Sequence, residues 1–166
     1  MLSLIAGALL MAASAYFGIG VRRVYKIRYK LFADLTGFCD YMLREVRHLK
    51  TPLSELMDAY PTGKKGLSAE ILKKYSDGLR FGYGSPSEVS DKIKSVYVGF
   101  DDTLAVAGFL YGLGKGDLET ELANLERYRA LFGEKTAFFE NELKKKGEMY
   151  YKLSVLIGIT LMIIVV

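Results

Sequence analysis

The amino-acid sequence predicts an all-α protein: a cytoplasmic bundle of about six helices whose first and last helices continue as N- and C-terminal transmembrane helices. Three observations predict it. No run sustains the apolar–polar alternation of a strand, whereas apolar residues recur at steps of three, four and seven along most of the chain. All 42 charged residues (23 basic, 19 acidic) lie between Arg22 and Lys152, so both ends are uncharged. Basic residues crowd the inner border of each uncharged end, as they do on the cytoplasmic side of membrane helices. The division expected is therefore 1–21, a transmembrane helix; 22–152, the bundle; and 153–166, a second transmembrane helix.

Met1–Val21 is rich in Leu, Ala, Ile and Gly. At ~1.5 Å per residue it reaches about 31 Å, the thickness of a bilayer's hydrocarbon core. A cleaved signal peptide is the competing reading, since Ala13-Ser14-Ala15 resembles a cleavage site. No positive residue precedes the run, however, and Arg22, Arg23, Lys26, Arg28 and Lys30 follow it, which favours an uncleaved anchor. Beyond them Leu31, Leu35, Phe38, Met42, Val46 and Leu49 continue one helical stripe to about Lys50. Thr51-Pro52 stops that helix and starts the next, with Thr51 as N-cap and Pro52 at the first helical position.

The second helix carries Leu53, Leu56 and Met57 and ends before Pro61; Thr62 to Gly66 is a turn-rich link. A third, about Ser68 to Leu79, shows Ile71, Leu72, Tyr75 and Leu79 on one side, and a glycine-rich loop follows. Ser85-Pro86-Ser87-Glu88 is a capping box that opens a fourth helix running to about Val98, with Val96 and Tyr97 on its apolar side. Asp101, Asp102 and Thr103 offer caps for a fifth, with Leu104, Ala107, Phe109, Leu110 and Leu113 as its stripe. Gly108 and Gly112 on it would let another helix approach closely. Gly114 to Asp117 reads as a stop and a new start. The final helix carries Leu118, Leu122, Leu125, Phe132, Phe139 and Leu143, then Lys144, Lys145, Lys146 and Lys152, then fourteen uncharged residues. Leu153–Val166 reaches only ~21 Å, so thinning of the bilayer or lysine snorkelling must absorb the difference.

Net charge is +4, but residues 31–143 hold 14 basic and 18 acidic side chains. The basicity belongs to the membrane flanks, which argues against a nucleic-acid partner. Cys39 alone makes no disulfide and no cysteine metal cluster; it reads as a small buried hydrophobe. His48 is the single histidine, so no His-based triad or H-E-x-x-H site is formed. Gly63-Lys64 and Gly114-Lys115 lack the Ser or Thr of a phosphate loop. These residues predict no catalytic site, no cofactor, no metal and no enzyme.

Glu45 ahead of Thr51-Pro52-Leu53, then Phe109 with Leu113-Gly114-Lys115-Gly116-Asp117, then Lys144 and Tyr150-Tyr151-Lys152-Leu153 before Ile157-Gly158 resemble the stage III sporulation protein AB family of endospore-forming bacteria. Ser154 departs from the glycine expected there. The resemblance implies a membrane component of a secretion-like channel between mother cell and forespore, similar to the cytoplasmic domain of the type II secretion platform protein. It implies a cytoplasmic secretion-type ATPase (stage III sporulation protein AA-like) and other membrane channel components as partners, with a homo-oligomer also allowed. The middle domain would face the mother-cell cytoplasm. Glu45, Thr51, Pro52, Leu53, Gly114 and Asp117 are the family-matched positions, read either as helix termini or as a partner surface. The alternative function is a membrane-tethered adaptor or regulator unrelated to secretion.

Overall fold

The computed structural model describes residues 2–48, 53–60, 66–79, 82 and 85–165, and they are helical with no strand. The helices are α1 (Leu2–His48), α2 (Leu53–Ala59), α3 (Leu67–Leu79), α4 (Pro86–Ile93), α5 (Phe100–Gly112), α6 (Leu118–Glu142) and α7 (Glu148–Val165). A five-residue π-helical turn, Leu143–Gly147, joins α6 to α7. The all-α class is as predicted. The chain divides into two compact units, Lys30–Thr136 and the two end segments, Met1–Tyr29 with Ala137–Val166. Two helical stretches, within Ile5–Arg47 and within Leu118–Val165, are long and apolar enough to cross a membrane. Only 11% of the most apolar part of each is buried, whereas a core helix would bury most of itself.

In the Lys30–Thr136 unit, the predicted stripe of α1 is the centre of the core. Leu31, Leu35, Phe38 and Met42 are buried, and Phe32 and Cys39 beside them are too. Phe109 of α5 stands edge-on to Phe38, with ring centroids 6.1 Å apart, and to Phe132 of α6 at 5.2 Å. Tyr128 closes the group at 5.1 Å from Phe109. Edge-to-face rings add about 0.5–1.5 kcal/mol per pair to what burial already contributes. The shorter helices are tied on by hydroxyls. Tyr60 donates to the Asp34 carbonyl at 3.0 Å, Ser68 to the Asp34 carboxylate at 2.6 Å, and Tyr75 to the Leu110 carbonyl at 2.6 Å. Burial pushes the Cys39 thiol up to about 12, with the Asp40 charge adding to it.

The start of α4 is as read: Ser85 caps it, its hydroxyl accepting the Glu88 N–H at 3.4 Å, with Pro86 in the first turn. Its end is earlier than expected. The helix stops at Ile93 because Ser95 offers the backbone another arrangement, its hydroxyl accepting the Tyr97 N–H and its carbonyl the Val98 N–H. Val96 and Tyr97, expected on an apolar face, are instead exposed, Val96 at 99%. Helix α5 also begins earlier, with Gly99 as N-cap, so Asp101 and Asp102 lie in the first turn where the helix dipole favours acids. Leu104 consequently turns partly outward and Val106 takes the core position. Thr51, Pro52, Leu49, Thr62 to Lys65 and most of the loop after α3 lie outside the described residues.

The unit formed by the end segments is an antiparallel hairpin of α1 and α7. A side chain at Gly7 would meet Met162, one at Gly158 would meet Met11, and one at Gly147 would meet Leu143 and Arg22. At Gly18 an added Cβ would lie 2.8 Å from the Ser154 Cβ, so that close crossing needs glycine. Ser14 donates to the Ser154 carbonyl there. Small residues at a helix crossing let backbones approach and make up in close contact what they lack in bulk.

The π turn sets which side of α7 joins this seam. A strict seven-residue step from the buried Phe139 would bring Lys146 and then Leu153 inward. Gly147 and Ser154 are buried instead. The Glu148 N–H reaches back five residues to the Leu143 carbonyl, and this wide turn absorbs the one extra residue. Lys144 and Lys146 face out, paired to Glu140 and Glu142 one turn earlier at 2.6 Å.

Two outcomes follow from these contacts. Phe109→Ala should lower the stability of the Lys30–Thr136 unit by about 3–5 kcal/mol, while the partly exposed Leu104→Ala changes it by about 0.5 kcal/mol or less. Thermal denaturation of the full chain in detergent micelles measures both. Deleting Lys145 should leave helicity and melting midpoint near those of the parent, because Phe139 and Gly147 then stand seven residues apart. Inserting one alanine after Lys145 should lower the midpoint clearly; equal losses from both changes would sink the register account.

Candidate functional site

The run Leu113–Asp117 is a complete stop-and-start device. Leu113 ends α5 by donating its N–H to the Leu110 carbonyl at 3.2 Å. Gly114 takes a left-handed conformation, φ +74°, which costs any residue with a Cβ roughly 1–2 kcal/mol. Asp117 then caps α6: its carboxylate accepts the Thr120 N–H at 3.1 Å and its carbonyl the Glu121 N–H at 2.9 Å. Hydrogen bonds from Thr120, its hydroxyl first and then its backbone N–H, hold the Asp117 carboxyl below the usual carboxylate range. Lys115 lays its ammonium over the Tyr111 ring, 3.0 Å from the centroid.

Directly behind this turn is a cavity of about 130 Å³ between α5 and α6. Gly108, Phe109 and Gly112 line the α5 wall, while Glu121, Asn124 and Tyr128 line the α6 wall. Glu121 is only 8% exposed. Its Oε2 accepts the Gly114 N–H at 3.1 Å, and its Oε1 is buried with no hydrogen-bond partner among the described residues. Desolvation pushes the Glu121 carboxyl up, and the Gly114 hydrogen bond opposes that shift in part.

Of the family-matched positions, Gly114 and Asp117 thus share one turn. Glu45 stands half-buried near the end of α1, Leu53 opens α2, and Thr51 and Pro52 lie outside the described residues. Gly108 is close enough to Tyr128 that a Cβ would lie 3.3 Å from the tyrosine hydroxyl, the tight approach expected, while Gly112 faces open space. A second cleft, of about 430 Å³, is charged: Arg47 pairs with Glu126 at 2.8 Å and Arg129 with Asp40 at 2.5 Å, beside Arg44. These pairs are exposed and each contributes at most about 1 kcal/mol. Among the flanking basic residues, Arg22, Arg23, Lys26, Lys30, Lys145 and Lys152 are exposed. Arg28 lies with its guanidinium 5.8 Å from the Phe139 ring centroid.

Glu121 was not among the residues singled out from the sequence, which placed Leu122 on the stripe instead. The signal was present: Glu121, Leu125, Phe132 and Phe139 are buried at steps of four, seven and seven.

The described residues define an all-α protein in which two helical stretches are long and apolar enough to cross a membrane. The chain belongs to the stage III sporulation protein AB family, whose model matches residues 3–166. Its role is therefore in sporulation. No curated protein and no solved structure matches the chain.

Gly114→Ala should lower stability by about 1–2 kcal/mol through the left-handed backbone alone. Asp117→Ala should lower it by about 0.5–2 kcal/mol through the lost cap. Thermal melts of the two variants and their combination check this, and the combination should fall short of additivity because the two residues share one turn.

Proposed function

We propose that this protein is a non-enzymatic platform of a secretion-like sporulation channel between mother cell and forespore. Its two apolar segments cross the mother-cell membrane, residues 22–152 lie in the cytoplasm, and their helices dock a secretion-type ATPase. One observation carries the reading: exposed basic residues border both apolar segments on the side of the middle of the chain. Lys and Arg next to a membrane helix stay on the cytoplasmic side, so both borders assign the bundle to the same compartment. Membership of the sporulation family supplies the setting.

The polar groups of the bundle support a binding rather than a catalytic role. Asp117 is spent on a helix cap, and Asp40, Asp102 and Glu126 are paired with cations. The ATPase would bring the nucleotide chemistry.

Reporter fusions within the middle domain should be active only as cytoplasmic reporters; export of the fused reporter would overturn the topology. The full chain, purified in detergent, should retain the secretion-type ATPase of the same sporulating cell and hydrolyse no ATP without it. Failure to retain the ATPase would remove the docking role.

A further inference from the structure

We infer that the charged cleft between α1 and α6 receives a carboxylate side chain, glutamate or aspartate, from a segment of a partner protein. Helical spacing builds the cleft. Asp40, Arg44 and Arg47 follow one another at steps of four and three along α1, and Glu126 and Arg129 at a step of three along α6. Two ion pairs join the helices in opposite senses, Arg47 to Glu126 at 2.8 Å and Arg129 to Asp40 at 2.5 Å. Arg44 also lines the cleft; it is exposed and has no hydrogen-bond or ion-pair partner among the described residues.

The balance of charge selects the occupant. Three arginines against two carboxylates leave the lining at +1. Residues 31–143 as a whole hold 14 basic and 18 acidic side chains, so the cleft is a local reversal of sign on an acidic bundle. One carboxylate neutralises it, whereas a phosphate dianion would overshoot. Guanidinium groups also match the planar, two-oxygen geometry of a carboxylate. The existing ion pairs do not close the site: their side chains stay 37–57% exposed, and pairs so wet are weak and readily exchanged. A partner that covers the cleft excludes water, and charge-assisted hydrogen bonds from Arg44 strengthen there. About 430 Å³ is several times the ~100 Å³ of three or four water-sized atoms, so the chain that carries the carboxylate fits as well. The inference rests on the cleft alone and holds whether or not the partner is an ATPase.

The test uses the full chain in non-ionic detergent micelles with arginine ¹⁵N-labelled at Nε. Arg44, Arg47 and Arg129 then report on the cleft, and Arg22 and Arg23 on the membrane flank. Acetyl-Ala-Glu-Ala-amide, its glutamine and phosphoserine analogues, and acetate are titrated separately at constant ionic strength. The glutamate peptide should shift the cleft signals saturably, about tenfold more tightly than the glutamine peptide, about threefold more tightly than acetate, and at least as tightly as the phosphoserine peptide. Arg44→Gln should abolish saturation at Arg47 and Arg129. Asp40→Asn, which raises the charge of the lining by one, should tighten the glutamate peptide about threefold and the phosphoserine peptide by more. The retained arginine spectrum shows that each variant is folded. No saturable shift, or equal shifts at Arg22 and Arg23, would overturn the site, and saturation retained in Arg44→Gln would overturn the part given to Arg44. Equal binding of the glutamine peptide would overturn the need for charge, and tighter binding of the phosphoserine peptide to the parent chain would overturn a carboxylate as occupant. Acetate as tight as the glutamate peptide would overturn a protein segment as its source. No tightening in Asp40→Asn would overturn selection by net charge.

Discussion

The edge-on packing of Phe109 against Phe38 and Phe132 is the contact on which the Lys30–Thr136 unit depends. It joins α1 to the consecutive pair α5 and α6, far from it in sequence, and each ring is fully or almost fully buried. With Phe109 fixed, α5 has little freedom to rotate, and Leu110 is held by the Tyr75 hydroxyl next to it. The turn after α5 therefore leaves from a fixed point. That is why a left-handed glycine, a cap and a reaching glutamate can all be satisfied within eight residues, from Gly114 to Glu121.

The end segments meet a different constraint. Their seam contains little bulk, and it works through backbones that come close at Gly18 and Gly158. Such a seam tolerates no lysine. Three consecutive lysines lie only a few residues from it, and the wide turn at Leu143–Gly147 reconciles the two by turning Gly147 inward and the lysines outward. Glu140 and Glu142 then offset two of those charges, so the collar is less basic than its composition suggests.

Much of this was legible in the residues. The stripe Leu31, Leu35, Phe38 and Met42 identified the core face of α1 because burial at helical spacing leaves few alternatives. Ser85-Pro86 and Gly114-Asp117 marked helix ends because caps and left-handed backbone each demand particular side chains. The end of α4 was not legible, since Ser95 competes for backbone donors in a way that apolar spacing does not register. Nor was the π turn, whose trace is a single step of eight among steps of seven. Glu121 was hidden by its own chemistry: a charged residue on a buried stripe is discounted until its hydrogen bond to the Gly114 N–H explains it. Thr51 and Pro52, read as a helix boundary, lie outside the described residues.

Cys39 carries a practical consequence. The single thiol of the chain is fully buried and holds its proton far into the alkaline range. A thiolate is the species that reacts with maleimides, iodoacetamides and disulfides, so the folded protein is chemically silent toward them. Any cysteine introduced at an exposed position becomes the only addressable sulfur without the native one being removed. Spin labels, fluorophores and cross-linkers can then be walked across the bundle and collars of an otherwise unaltered chain.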